Sequence, residues 1–233
     1  MYTTTILCFA NSWKRSGTCV AGKVLLETLE IGGWIRPISS RPTHAISLAD
    51  RRYADGSYAD VLDLIEIRLT SHVPTMHQTE NHLIDPSAEW RKIGAVTWGQ
   101  VQVSLDTIPA ALWVNGYSTA HGINDKVPLA LLPGISDSLK LLSVPDFTVR
   151  VAYEPGYQGA PGRRRVRASF TLNGLTYRLA VTDPLVAQIY LNKPDGDYAI
   201  GPATLCLSLS EPEFGYAFKL VATVLTAHRC TAA

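Results

Sequence analysis

Apolar residues in this chain come in short parcels, and that limits the fold more than any other feature. Runs of about six to ten residues, at Thr4–Ala10, Thr18–Leu26, Gly33–Ile38 and Val61–Leu69, are each cut off by Gly, Ser, Pro or Asp. Segments this short, bounded by turn formers, read as strands. The pattern restarts near residue 145 with Phe147–Tyr153, Arg165–Leu172, Leu175–Val181, Thr204–Leu209 and Tyr216–Leu225. Asn173-Gly174 is the strongest hairpin signal, because both residues tolerate positive φ. Gly32-Gly33 marks another reversal. Pro37 puts its strand at an edge or at its end, since proline cannot donate to a ladder. Helices are few. Asp183-Pro184 opens one that ends near Leu191, with Asp as N-cap and Pro at the first helical position. Leu105–Trp113 is expected to form a second, stopped by Asn115-Gly116.

Many short strands with few helices imply a mainly β chain, a small barrel or sandwich present twice. The length of 233 residues suffices for two small cores or one large one. The expected division is a first unit over residues 1–130, a junction over 131–144 around Pro133-Gly134, and a second unit over 145–233. A single wrapped β domain is the competing arrangement, and no internal repeat decides between them.

Composition narrows the function. A formal charge of +1 gives no global field for nucleic acid or an anionic membrane, so any such contact rests on a local patch. Cys8, Cys19, Cys206 and Cys230 are far apart and fit no zinc or redox motif. The first residues lack a basic start with a long apolar stretch, and no run approaches a membrane span. A reduced, cytoplasmic protein with free thiols and no membrane partner is the expectation. Phosphate-binding loop, dinucleotide fingerprint and Gly-x-Ser-x-Gly elbow are all missing, and no cofactor is implied.

Four clusters carry possible chemistry. Trp13, Lys14 and Arg15 lie in a polar turn between two strands, where an indole can stack on a base and the cations can hold phosphate. Trp34 and Arg36 alternate onto one strand face, which reads as a rim or groove because a dry core rejects an unpaired guanidinium. His72, His77 and His82, with Glu80, crowd into "HVPTMHQTENH". Those side chains suit a divalent ion, or acid–base work by His77 and Glu80. However, His-Glu-x-x-His is absent and Pro74 argues for a loop, so no metal is assigned; a polar binding loop or a plain connection remain open. Arg163, Arg165 and Arg167 would share one face of a strand, spaced to meet successive phosphates or to guard an exposed edge.

"SWKRSGTCVAGKVL", "GWIRPIS", "HQTENHLID", "LWVNGY", "YRLAVTDP" and "LCLSLSEPEFGYAFKLVATVL", in that order, resemble the bacterial dual OB-fold-containing domain family from Thr5 to Thr226. The resemblance implies two small OB-like Greek-key barrels in tandem. It matches the family at Lys14, Arg15, Cys19, Gly22, Trp34, Arg36, Pro37, His77, Gln78, Glu80, Asn81, Trp113, Asn115, Gly116, Asp183, Tyr216 and Lys219, and Gln78 and Asn81 join the ligand-binding candidates. The Arg163–Arg167 run has no counterpart in the pattern.

The leading expectation is a binding module for single-stranded nucleic acid or nucleotides, with tryptophans stacking and arginines and lysines on phosphate. One alternative is an enzyme acting on a nucleotide or phosphodiester through the His72–His82 loop. Another is an adaptor that docks a protein partner on its sheet edges.

Overall fold

Tyr2–Lys14 (β1) and Gly17–Leu25 (β2) build a hairpin that carries both its faces into the interior from Ile6 to Ser12. The computed structural model describes residues 1–14, 17–156 and 161–231. The two strands meet closely at a bulge between Cys8 and Ala10, and Gly22 makes this possible: a Cβ there would stand 2.3 Å from the Leu7 carbonyl oxygen. Ile31–Ile38 (β3), Asp63–His72 (β4), Asn81–Ile84 (β5), Arg91–Ala95 (β6) and the helix Trp98–Val103 (α1) follow. Along β4, Ile65, Ile67 and Leu69 alternate inward onto Ile6, Ile35, Ile84 and Trp90, each burial contributing about 1.5–3 kcal/mol.

These elements belong to one unit, Met1–Leu105 with Ser136–Leu139 and Ala227–Ala233; the other comprises Asp106–Ile135 and Lys140–Thr226. The second unit contains Lys126–Pro128 (β7), most of Leu139–Val144 (β8), Phe147–Glu154 (β9), Arg163–Leu172 (β10), Leu175–Val181 (β11), the helix Pro184–Leu191 (α2), Gly196–Ala199 (β12), Ala203–Leu209 (β13) and Tyr216–Leu225 (β14). Its core gathers Phe147, Val149, Phe170, Tyr177, Leu179, Leu205 and Val221 under α2. A last short helix, Ala227–Thr231 (α3), returns to the first unit.

The chain is mainly β, but the expectation of two small Greek-key β-barrels is corrected: the strands form a six-stranded and an eight-stranded sheet, and neither closes into a barrel. In the first, ordered β1-β2-β3-β5-β4-β6, β1 is shared, pairing β2 along Thr5–Lys14 and β4 along Tyr2–Leu7, and β6 stands outboard of β4. In the second, ordered β12-β9-β10-β11-β14-β13-β8 with β7 as the eighth strand on β14, Pro145 interrupts what would otherwise be one long strand. Lacking a donor, it leaves β8 on β13 and β9 on β10.

The expected helix at Leu105–Trp113 does not form. Pro109 sits inside it, and the competing start signal lies upstream, where Thr97 and Gln100 form a capping box for α1. By contrast, Asn173 (φ 47°) and Gly174 (φ 77°) make the tight β10–β11 turn, and α2 runs from Pro184 to Leu191. Asp183 caps it, Oδ1 accepting from the Leu185 and Val186 amides at 3.0 and 3.3 Å while Oδ2 accepts from Val224 at 3.0 Å. Asp183→Ala orphans donors on a helix start and on a buried strand together. A loss of about 2 kcal/mol in urea unfolding is expected; an unchanged midpoint would deny the cap that role.

Candidate functional site

The sequence candidates separate into three structural settings. At the tip of the β1–β2 hairpin, Trp13 leaves 56% of its surface open. The Lys14 side chain and Arg15 lie outside the described residues. Trp34, on β3, is half-buried, with Phe9 edge-on at 6.1 Å between ring centroids and the Lys23 ammonium 5.4 Å from its ring. Lys23 is itself buried and donates to the Ser104 carbonyl at 2.7 Å. Trp34 is thus built into the sheet, and Trp13 is not.

Arg36 is 4% exposed. The parallel pairing of β3 with β5 sets it opposite Asn81, whose Oδ1 accepts from Nη1 at 3.4 Å, while Nη2 lies 3.4 Å from Glu80 Oε1. Ser138 donates its hydroxyl to the same carboxylate oxygen. Asn81 Nδ2 donates to Gln78 Oε1 at 3.4 Å, and His77 is buried in the adjoining turn. Arg36, Gln78, Glu80 and Asn81 therefore meet in one buried polar knot. The guanidinium's charge is answered at close range, as burial requires.

His72 and His82 go elsewhere. They oppose one another across β4 and β5, their rings stacked at 4.6 Å. His72 Nε2 donates to the Thr79 carbonyl at 2.5 Å, and the Tyr2 hydroxyl bonds His82 Nδ1. Burial, reinforced by the neighbouring His72, pulls the His82 pKa down to about 4. The four metal candidates are so divided that, among the described residues, no group of three or more His, Cys, Asp or Glu could hold an ion.

The arginine run occupies the third setting. Because β10 pairs antiparallel with β9 and β11, Arg163, Arg165 and Arg167 share a face with Arg150, opposite Arg167, and with Arg178, opposite Ser169. Arg167 is 8% exposed and anchors this face. Its Nε and Nη2 bond the two Glu154 oxygens at 2.5 and 3.0 Å, and Nη1 reaches Asp125 Oδ2 at 3.2 Å. Burial alone would raise the Glu154 carboxyl, but the bonds and charge of Arg167, with His121 and Arg165, hold it below its ordinary value. Arg165 touches Glu154 at 3.5 Å and stays 42% open. Burial and the like charges of Arg163 and Arg167 lower its pKa against the pull of Glu154. Arg164 points to the other face and closes the end of α2, bonding Asp195 at 2.8 Å and the Leu191 carbonyl at 2.7 Å.

One titratable group lies beneath. Lys219, 1% exposed on β14, donates to Asn115 Oδ1 at 2.8 Å and stands 5.4 Å from the centre of the Tyr177 ring. The Tyr177 hydroxyl accepts from Asn115 Nδ2 at 2.7 Å and from the Leu112 amide at 2.9 Å. Desolvation takes the Lys219 pKa down to about 7 although Asp125 pulls the other way. Asn115 reaches both partners from a loop bent by left-handed Trp113 (φ 55°) and Gly116 (φ 94°).

A family described as "Dual OB-containing domain" matches residues 4–224. The chain belongs to the dual OB-containing domain family. No curated protein matches this family member. Among solved structures it is similar to one titled "Crystal structure of the tetrameric p202 HIN2", at 8% identity and a TM-score of 0.32, over 97% of this chain and 94% of that one. No described helix of this family member is long and apolar enough to cross a membrane. Sequence reasoning passed over Arg150, isolated in "FTVRVAYE"; the inward alternation of Phe147, Val149 and Val151 was the signal that turns it outward. Asp125 and Glu154 carried no such signal, since they gain meaning only once β9, β10 and the loop before β7 are assembled.

Proposed function

We propose that this family member binds single-stranded nucleic acid or nucleotides without catalysis. The observation that carries the reading is Trp13, an indole more than half exposed at the tip of a strand hairpin, with Lys14 and Arg15 next to it in sequence. Aromatic faces with adjacent cations suit a base with its phosphate. The exposed Arg163 and Arg165 add phosphate contacts on the second unit. Membership of a family named for OB domains supports the same class, because such folds present strands and loops to oligonucleotides, although a fold by itself assigns no ligand. Arg36, Glu80, Gln78 and Asn81 serve here as a buried brace, with Arg36 and Glu80 paired in charge and the two amides hydrogen-bonded alongside.

Trp13→Ala tests the reading. Stacking is worth about 1–3 kcal/mol per base, so affinity for a fluorescein-labelled oligothymidine should fall about 5- to 150-fold by polarisation, with the unfolding midpoint little changed. Equal affinity in the variant would end the role of Trp13.

A further inference from the structure

The run Arg163–Arg167 reads along one strand in the sequence, but its chemistry spreads across three. Residues facing one another across antiparallel strands lie on the same side of the sheet, and laterally adjacent strands are only about 4.8 Å apart. Arg150 on β9 is beside Arg167 on β10; Ser169 on β10 is between Thr148 on β9 and Arg178 on β11. The Arg178 Nε donates to Ser169 Oγ at 3.3 Å. We infer that this face of β9–β10–β11 is a phosphate-binding surface, on which Arg150, Arg163, Arg165 and Arg178 hold successive phosphodiesters of a single strand laid across the sheet. This rests on the nucleic-acid reading above and gives it a second, independent contact.

Charge supports it. The guanidiniums of Arg150, Arg163, Arg165, Arg167 and Arg178 face the carboxylates of Glu154, Asp125 and Asp197. Glu154 and Asp125 are held by the buried Arg167, and Asp197 stands 3.8 Å from Arg150 with both side chains open to solvent, where an ion pair is worth little. Like charges therefore remain close together, and an anion would relieve them. Edge protection extends only to Arg163 and Arg165, where β10 is paired by β9 on one side and its ladder to β11 begins at Arg167. Arg150 is flanked by Asp197 of β12 and Arg167 of β10, and Arg178 by Ser169 of β10 and by Ile123, so these two arginines have no free edge to guard. Arg167 is the positioning residue: its fork onto Glu154 fixes the middle of the face and leaves its neighbours facing outward.

The test measures oligothymidine binding against salt for the wild type, Arg150→Gln/Arg178→Gln and Trp13→Ala. Each lost contact should flatten the slope of log K against log salt by about 0.7, so the double variant loses about 1.4 while Trp13→Ala keeps the wild-type slope at lower affinity. Arg150→Lys/Arg178→Lys, which preserves charge, should keep the slope and so controls for misfolding. A full slope and affinity in the glutamine variant, with Trp13→Ala still weakened, overturns the surface and leaves the hairpin reading standing. Wild-type protein that ignores the oligonucleotide at low salt overturns both. Displacement of oligothymidine by inorganic phosphate at concentrations of equal ionic strength to an ineffective chloride control would assign the face to single phosphate groups and overturn the strand.

Discussion

Arg167→Ala should cost about 3–5 kcal/mol of unfolding free energy, read from the urea midpoint near neutral pH. The size follows from what stays behind. Glu154 and Asp125 are 6% and 3% exposed in the intact protein, and truncating Arg167 strips both buried carboxylates of their bidentate or closest counter-charge, among the costliest defects a core can hold. The loss should shrink in acid: Glu154 is held below its ordinary value in the folded state, so its stabilisation is present above the unfolded pKa and fades as pH falls through the folded one. A variant as stable as the wild type would mean the face is not built around that ion pair.

The second large effect concerns Lys219. Its folded pKa is about 7 against an ordinary 10.5, so between those values the unfolded chain binds more protons than the folded one. Stability should then rise with pH through that window, by roughly 1.4 kcal/mol per unit from this group. Below pH 7 both states carry the charge and the full burial penalty applies. Lys219→Met removes the titration. The variant should gain on the wild type at pH 6–7, less the cost of leaving Asn115 Oδ1 without its donor, and the gap should narrow steadily toward pH 10. Parallel stability–pH curves for the two proteins would show that Lys219 titrates normally.

Local chemistry explains which parts of the fold were legible. Asn173-Gly174 and Asp183-Pro184 announce a turn and a helix start because the constraint lies within a few residues, and both are found where expected. The Leu105–Trp113 expectation failed on Pro109 and on a stronger cap at Thr97. The barrel expectation failed on strand pairing, which joins segments far apart in the chain and leaves no local mark. Strands β5, β6 and β12, four or five residues long, offer too little periodicity to detect. The candidate residues show the same boundary. Alternation indicates that Arg36 shares a face with Trp34, but its meeting with Glu80 and Asn81 comes from a parallel pairing 45 positions away. Likewise the sequence displays the arginines of one strand and hides the cross-strand neighbours that complete the face.

The double duty of β1 bears on how this polypeptide matures. Tyr2–Leu7 completes its ladder only with Leu64–Leu69, so the amino-terminal strand must wait until that later stretch has left the ribosome. Until then a bare edge is on offer to any passing chain, and such distant pairing is slow to form. Nascent chains halted before residue 64 should therefore be the aggregation-prone species, and synthesis at lowered temperature the remedy of choice.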